Sequence, residues 1–543
     1  MTRSMRVLRW LLIDHDVLTG AAISLVFLVC LTMSGAFRRQ TAAAEEPGHL
    51  AEKTSRTSAR NLALVVFCVF LISRLVYSKF MFDSWYYQDD ALDTCIKPLQ
   101  MLTGLPIWGT DTGFVMYPLY WLLGEVAGPN IQITNAFTAL LFSTSLAASL
   151  LLVVRFCGLA PGVVLGAIIT LSYPFVVHSV YSSAIAWGAP TALIGSAWFL
   201  TRREITLKVG AGLAVVTIVS LYMYPGATVA LLALAAAHRL ILGSRWRTGA
   251  EFVFAGALAA GYLASQLVVS RWLVGTPLLR TQFAGGHLSF DLKAIGHVLW
   301  IYLREPFYFT DSWDAINLGG PYFEPALLWV LVTALYRRHR LTLVALCALM
   351  IAGALAAFLG SYPGVRRTMW VFPGLYLALA TYLAGVMRGS RRVGARVGVV
   401  LCISLGLIGL RSWTAAAVSK PLSRPNAFVI ELEKWRAAAG AAIDGAVLVL
   451  FEDDKDQYQS HHYWCYMTFR QHAVGADTSV RLVSKSPNDP RFQKIAPPFF
   501  ALLQSRDSVD LISRLWPVAT RIDLSYGSTA PGTTPVLRVY RVE

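Results

Sequence analysis

Apolar stretches of near-spanning length follow one another from Val17 to Trp413, and they constrain this chain more than any other feature. A helix needs about 20 apolar residues to cross the hydrocarbon core of a bilayer. The first run is Val17 to Phe37; the second, Asn61 to Phe80, is interrupted by Arg74. Further runs lie near 131–154, 160–176, 180–200, 207–222, 226–242, 251–273, 325–337, 341–359, 367–387 and 397–413. Of the 543 residues, 56% are hydrophobic and 14% charged, whereas a soluble domain carries roughly a quarter charged residues. The reading is an α-helical polytopic membrane protein of about 12 spans. The abundance of Ala, Gly and Arg points to a bacterial plasma membrane.

Charge orients the spans. The net charge is +16, and from Thr414 onwards there are 15 Lys and Arg against 13 Asp and Glu, so +14 belongs to the membrane part. Arg202-Arg203, His238-Arg239 with Arg245 and Arg247, Arg337 to Arg340, and Arg388 to Arg396 fall on one side. By the positive-inside rule that side is cytoplasmic. The excess then serves cytoplasmic loops and phosphate contacts, not nucleic acid. Residues 1–60 read as one span and a polar cytoplasmic linker, 61–413 as the main transmembrane domain, and 414–543 as an extracytoplasmic domain. Basic residues flank the first span on both sides, so charge leaves its orientation open. The loops 81–130 and 274–324 lie outside.

The 81–130 loop carries the most unusual chemistry. Asp89 and Asp90 are adjacent carboxylates at a membrane face, where ionisable groups are costly. Leu92, Cys95, Ile96, Leu99 and Leu102 then recur at helical spacing, and Gly104 ends the pattern. Such a helix suits the membrane interface. Asp89 projects with the apolar stripe, while Asp90 leads into the exposed Asp93 and Lys97 face. An N-cap role accounts well for one of the two acids and poorly for both.

These residues resemble a known family. An acid pair, a short interfacial helix, Gly104, and then Pro118 opening an apolar helix are similar to the first external loop of C-type (GT-C) polytopic glycosyltransferases. The resemblance is to the aminoarabinose transferase and protein O-mannosyltransferase group, with Asp-Asp here in place of Asp-Glu. A second similarity lies in Gly364-Val365-Arg366-Arg367-Thr368-Met369-Trp370-Val371-Phe372-Pro373. The resemblance implies a GT-C-like fold and an inverting transfer of a hexose or pentose from a polyprenyl-phosphate-linked donor to a lipid, glycan or protein acceptor. It implies that Asp89 activates the acceptor with Asp90 as helper or metal contact, and leaves open whether a divalent metal is needed.

A lipid-linked donor enters sideways from the bilayer, and its phosphate needs cations with the forked geometry of Arg. Arg366 and Arg367 sit at the outer end of a span, where an anion would compensate them; the alternative is snorkelling to lipid head groups. Arg367 is the preferred member. Arg304, Glu305 and Tyr117 complete the substrate-binding candidates, with Arg280, Asp311 and Asp314 beside aromatic residues in the 274–324 loop. The same aromatics also suit an interfacial belt. A transporter or flippase, and an inactive GT-C-like scaffold, are the rival classes.

From Pro425 the pattern changes, and Ala427 to Ala438 reads as a helix. Ala446 to Phe451 reads as a buried strand and Val536 to Val542 as a terminal one, within a small α/β domain. Adjacent His461 and His462 do not face one another on a regular element and make a poor metal pair. A Cys95–Cys465 disulfide would require both to lie outside.

Overall fold

The computed structural model describes residues 3–34, 56–81, 115–127, 131–180, 184–202, 204–269, 292–304, 321–358, 365–419, 448–451, 480–483, 497–503, 507–523 and 538–543. By Cα packing the chain divides into two units, one holding nearly all the apolar helices and the other the C-terminal sheet.

The helical unit follows the apolar runs closely. Its helices are α1 (Arg3–Arg9), α2 (Asp16–Met33), α3 (Arg56–Met81), α4 (Tyr117–Ala127, shared with the second unit), α5 (Ile131–Cys157), α6 (Leu159–Leu171) and α7 (Tyr173–Val180). There follow α8 (Ala189–Leu200), α9 (Leu207–Met223), α10 (Pro225–Ile241), α11 (Ala250–Val269), α12 (Leu292–Arg304), α13 (Leu328–Tyr336), α14 (Arg340–Phe358), α15 (Phe372–Arg388) and α16 (Arg391–Ser419). Short 3-10 helices cover Ala184–Gly188, Pro325–Leu327 and Val365–Val371. Four described helices are long and apolar enough to cross a membrane, two bent pairs pass the same test together, and five more are shorter. The protein is an integral, multi-pass membrane protein.

Side-chain placement fits a lipid surround. On α3, Leu64, Val65, Val69, Ile72 and Val76 face outwards, while Ala59, Ala63, Phe70 and Arg74 face in. An apolar exterior of this kind is unfavourable in water and natural in a bilayer. The helix α15 is the hub: 94% of the apolar window containing it is buried, and it packs on α6, α8, α14 and α16. The most extensive pairing elsewhere is α10 with α14.

Two of the predicted basic turns share one end. Ile205 N donates to Arg245 O at 2.8 Å, Arg247 N to Ile205 O at 3.0 Å, and Arg247 pairs with Glu204 at 2.6 Å. The structure also orients the first span, which charge alone left open. Arg396, in the basic 388–396 cluster, donates to Ser34 O just beyond the C-terminal end of α2. Nearer the other end of α2, Ser24 Oγ donates to Pro325 O at 2.8 Å, and a Cβ on Gly20 would run into Pro325. The C-terminal end of α2 therefore lies on the basic side.

One element was not expected. The 274–324 stretch contains the amphipathic helix α12, packed along α14. The spacing of Leu292, Ile295, Leu299 and Tyr302 supplies the apolar stripe that forms it.

The second unit contains a five-stranded sheet of β1 (Leu448–Phe451), β2 (Val480–Val483), β3 (Phe499–Leu503), β4 (Arg521–Asp523) and β5 (Arg538–Val542), in the order β2-β1-β3-β5-β4. The pairs β2-β1 and β1-β3 are parallel; β3-β5 and β5-β4 are antiparallel. The helix α17 (Asp507–Leu515) buries Ile512, and Trp516 just beyond it meets the Phe499 ring at 4.8 Å. The two strands expected from alternation and apolar content are β1 and β5. The predicted helix over 427–438, His461, His462 and Cys465 lie outside the described residues.

Candidate functional site

The described end of the first segment that carries the family resemblance, at Tyr117, and the second, at Trp370, pack on one short element of the helical unit. Tyr117 opens α4 after the acid-bearing loop, and its buried ring meets Trp187 edge-on, with centroids 6.1 Å apart. Trp187 belongs to the 3-10 helix Ala184–Gly188. The opposite partner of that helix is Trp370, whose indole Nε1 donates to Ile185 O at 3.1 Å. Gly188 is required here, because a Cβ would strike the Trp370 ring. Val115 N donates to Tyr222 O at 3.3 Å, so the chain enters α4 beside the C-terminal end of α9.

Trp370 ends the stretch that holds Arg366 and Arg367. The 3-10 helix Val365–Val371 is kinked at Thr368, where φ is −115° and ψ 18°. Pro373 sits in the first turn of α15, where its missing N–H costs nothing. Beneath Trp370 the rings form a continuous cluster. Phe142 lies 5.8 Å and Phe175 6.3 Å from it, and Phe70 stacks on Phe142 at 5.2 Å. The Arg-bearing backbone thus rests on a rigid aromatic floor.

Arg304 is exposed at the C-terminal end of α12, a favourable place for a cation against the helix dipole. Asp89, Asp90, Glu305, Arg280, Asp311 and Asp314 lie outside the described residues. Among the described residues, no group of three or more His, Cys, Asp or Glu converges as a metal-ligand set.

Sequence reasoning missed a buried polar layer near this floor. Arg411 of α16 forms an ion pair with Glu324, and both side chains are almost fully buried. Tyr376 Oη donates to Tyr322 O at 2.8 Å and accepts from Glu324 N at 3.0 Å. The Glu324 carboxylate lies beside the Ser172 hydroxyl and the Tyr173 amide, at the break between α6 and α7. The available signal was an acid immediately before Pro325 and an Arg within the last apolar run. A cavity of about 30 Å³, close to one water in size, adjoins this pair and is lined by Thr19, Gly20, Ile23 and Leu407 among others.

No protein-family model and no curated protein matches the sequence. Among solved structures, ArnT from Cupriavidus metallidurans in the apo state aligns with a TM-score of 0.51 and 11% identity, over 88% of this chain and 97% of that one. The structure of ArnT from Cupriavidus metallidurans bound to undecaprenyl phosphate aligns at 0.49 and 12% identity over the same shares. The chain accordingly has a GT-C-like polytopic membrane fold of the kind found in ArnT.

Proposed function

We propose that this protein is a membrane glycosyltransferase that moves a sugar from a polyprenyl-phosphate-linked donor to an acceptor on the extracytoplasmic side, with inversion. The observation that carries the reading is convergence. The end of the acid-bearing loop at Tyr117 and the Arg366–Trp370 segment both pack on Ala184–Gly188. The GT-C-like fold supports the same class.

The roles follow from chemistry. Asp89 accepts the proton of the acceptor hydroxyl as the new glycosidic bond forms, and Asp90 orients that base or contacts a metal. Arg367, with Arg366, holds the departing phosphate, whose negative charge grows as the sugar–oxygen bond breaks. Arg304, Glu305 and Tyr117 belong to the substrate-binding surroundings. The acceptor is a lipid, a glycan or a protein.

A second reading has specific support. The bends of 66° between α6 and α7 and of 112° within Pro325–Ala356, with buried ionic groups beside the first, are features that transporters also use. Incubating the purified protein with a panel of radiolabelled polyprenyl-phosphate sugars and membrane acceptors tests the transferase. Sugar should leave one donor and appear on an acceptor. Intact donors throughout, with a membrane fraction that supports other lipid-sugar transferases, would contradict it.

A further inference from the structure

The break between α6 and α7 exposes backbone that the bilayer cannot satisfy. Pro174 has no N–H, so Thr170 O loses the partner it would have in a continuous helix. The 66° bend leaves Ile169 O and Leu171 O outside the regular ladder as well. Unsatisfied carbonyls at membrane depth are costly, because no water is there to replace the lost partner. Two side chains from other spans meet them. Arg74 of α3 donates through Nη2 to Thr170 O at 2.7 Å and to Ile169 O at 3.5 Å. Ser412 of α16 donates to Leu171 O.

Arg74 does more than cap the first half. Its Nε donates to Ser179 Oγ in α7 at 2.8 Å, so one guanidinium ties both halves of the broken span together. Its Nη1 reaches Ser73 Oγ at 3.2 Å, and its plane lies 4.0 Å over the Phe70 ring. The side chain is fully buried and has no carboxylate partner among the described residues. A cation at the carbonyl end of α6 complements the negative end of that helix, and the Glu324 carboxylate beside Tyr173 complements the positive start of α7.

This joint lies directly under the aromatic floor. Phe175, in the first turn of α7, touches Trp370 and Tyr376 at 6.3 and 6.2 Å between ring centroids. Phe70, beneath the guanidinium, stacks on Phe142, which meets Trp370. One connected ring cluster therefore links this joint to Trp370: Phe70 under Arg74 leads through Phe142, and Phe175 of α7 meets both Phe142, at 6.3 Å, and Trp370. We propose that Arg74 is a positioning residue: it closes the broken span Leu159–Val180 and so fixes the 3-10 helix Val365–Val371. Its consequence for donor binding rests on the transferase reading above.

Hydrogen exchange on the full chain in nanodiscs tests this without any substrate. In Arg74→Gln, amides of 366–372 should exchange at least about tenfold faster, while those of α11, which packs on α9 and not on Val365–Val371, stay unchanged. Arg74→Lys, which keeps the charge but not the fork, should fall between wild type and Arg74→Gln. Adding Pro174→Ala returns an N–H to Thr170 O, so Arg74→Gln/Pro174→Ala should recover part of the protection. Unchanged exchange at 366–372, or an equal rise in α11 showing general loosening, would overturn the proposal. With exchange behaving as expected, the donor KM should rise in Arg74→Gln more than kcat falls. A wild-type protein that consumes no lipid-linked sugar would sink the transferase reading and leave the joint standing.

Discussion

Replacing Asp89 by Asn keeps size and one hydrogen-bonding oxygen but removes the base. Turnover should fall by about a hundredfold or more if Asp89 performs general-base work, with a smaller loss for Asp90→Asn. Asp93→Asn should be mild, since an exposed helix pair contributes about 0.5 kcal/mol or less. Full activity in Asp89→Asn with a dead Asp90→Asn would transfer the role to Asp90. Arg367→Lys retains charge but loses the bidentate fork, so donor affinity should drop, and drop further in Arg367→Gln. Affinity measured at matched thermal stability decides it; no change in either variant would remove Arg367 from the site. At this scale the sequence was partly legible. Arg74 stands out as a cation inside an apolar run, but its partners include backbone carbonyls 95 and 96 residues away, which no local pattern announces.

The elements were more legible than their breaks. Hydropathy marked the spans within a few residues because each must bury about the same thickness of apolar chain. The break at Ser172 was written in Pro174, inside a run that reads as continuous by composition alone. The helix α12 escaped because its apolar stripe is short and sits among polar residues. The buried pair Glu324–Arg411 offers a test at this scale. Glu324→Leu leaves Arg411 buried without its counter-ion and should cost about 3–5 kcal/mol. Glu324→Leu/Arg411→Leu should cost less than the single variant, because no charge is then stranded. Denaturation in detergent compares them; a double variant no better than the single one would show that packing, and not charge, dominates there.

For the whole molecule, the basic-side turns, the Arg396–Ser34 contact and the Ser24–Pro325 contact orient the first span with its C-terminal end inside. From the basic-loop asymmetry we propose that the acid-bearing loop and the C-terminal domain share the outer face. An impermeant thiol reagent should label Ser84→Cys and Ser525→Cys from outside in intact cells; labelling from opposite sides would break the scheme. The chemical fate of the donor tests the central claim most directly. In proteoliposomes, a polyprenyl-phosphate sugar labelled with tritium in the sugar and ³²P in the phosphate separates the two readings. The account predicts that tritium moves to an added acceptor extract while ³²P stays with the polyprenyl phosphate, and that Asp89→Asn abolishes this separation. Both labels crossing the bilayer together on an intact donor, equally in wild type and Asp89→Asn, would contradict it and identify a flippase.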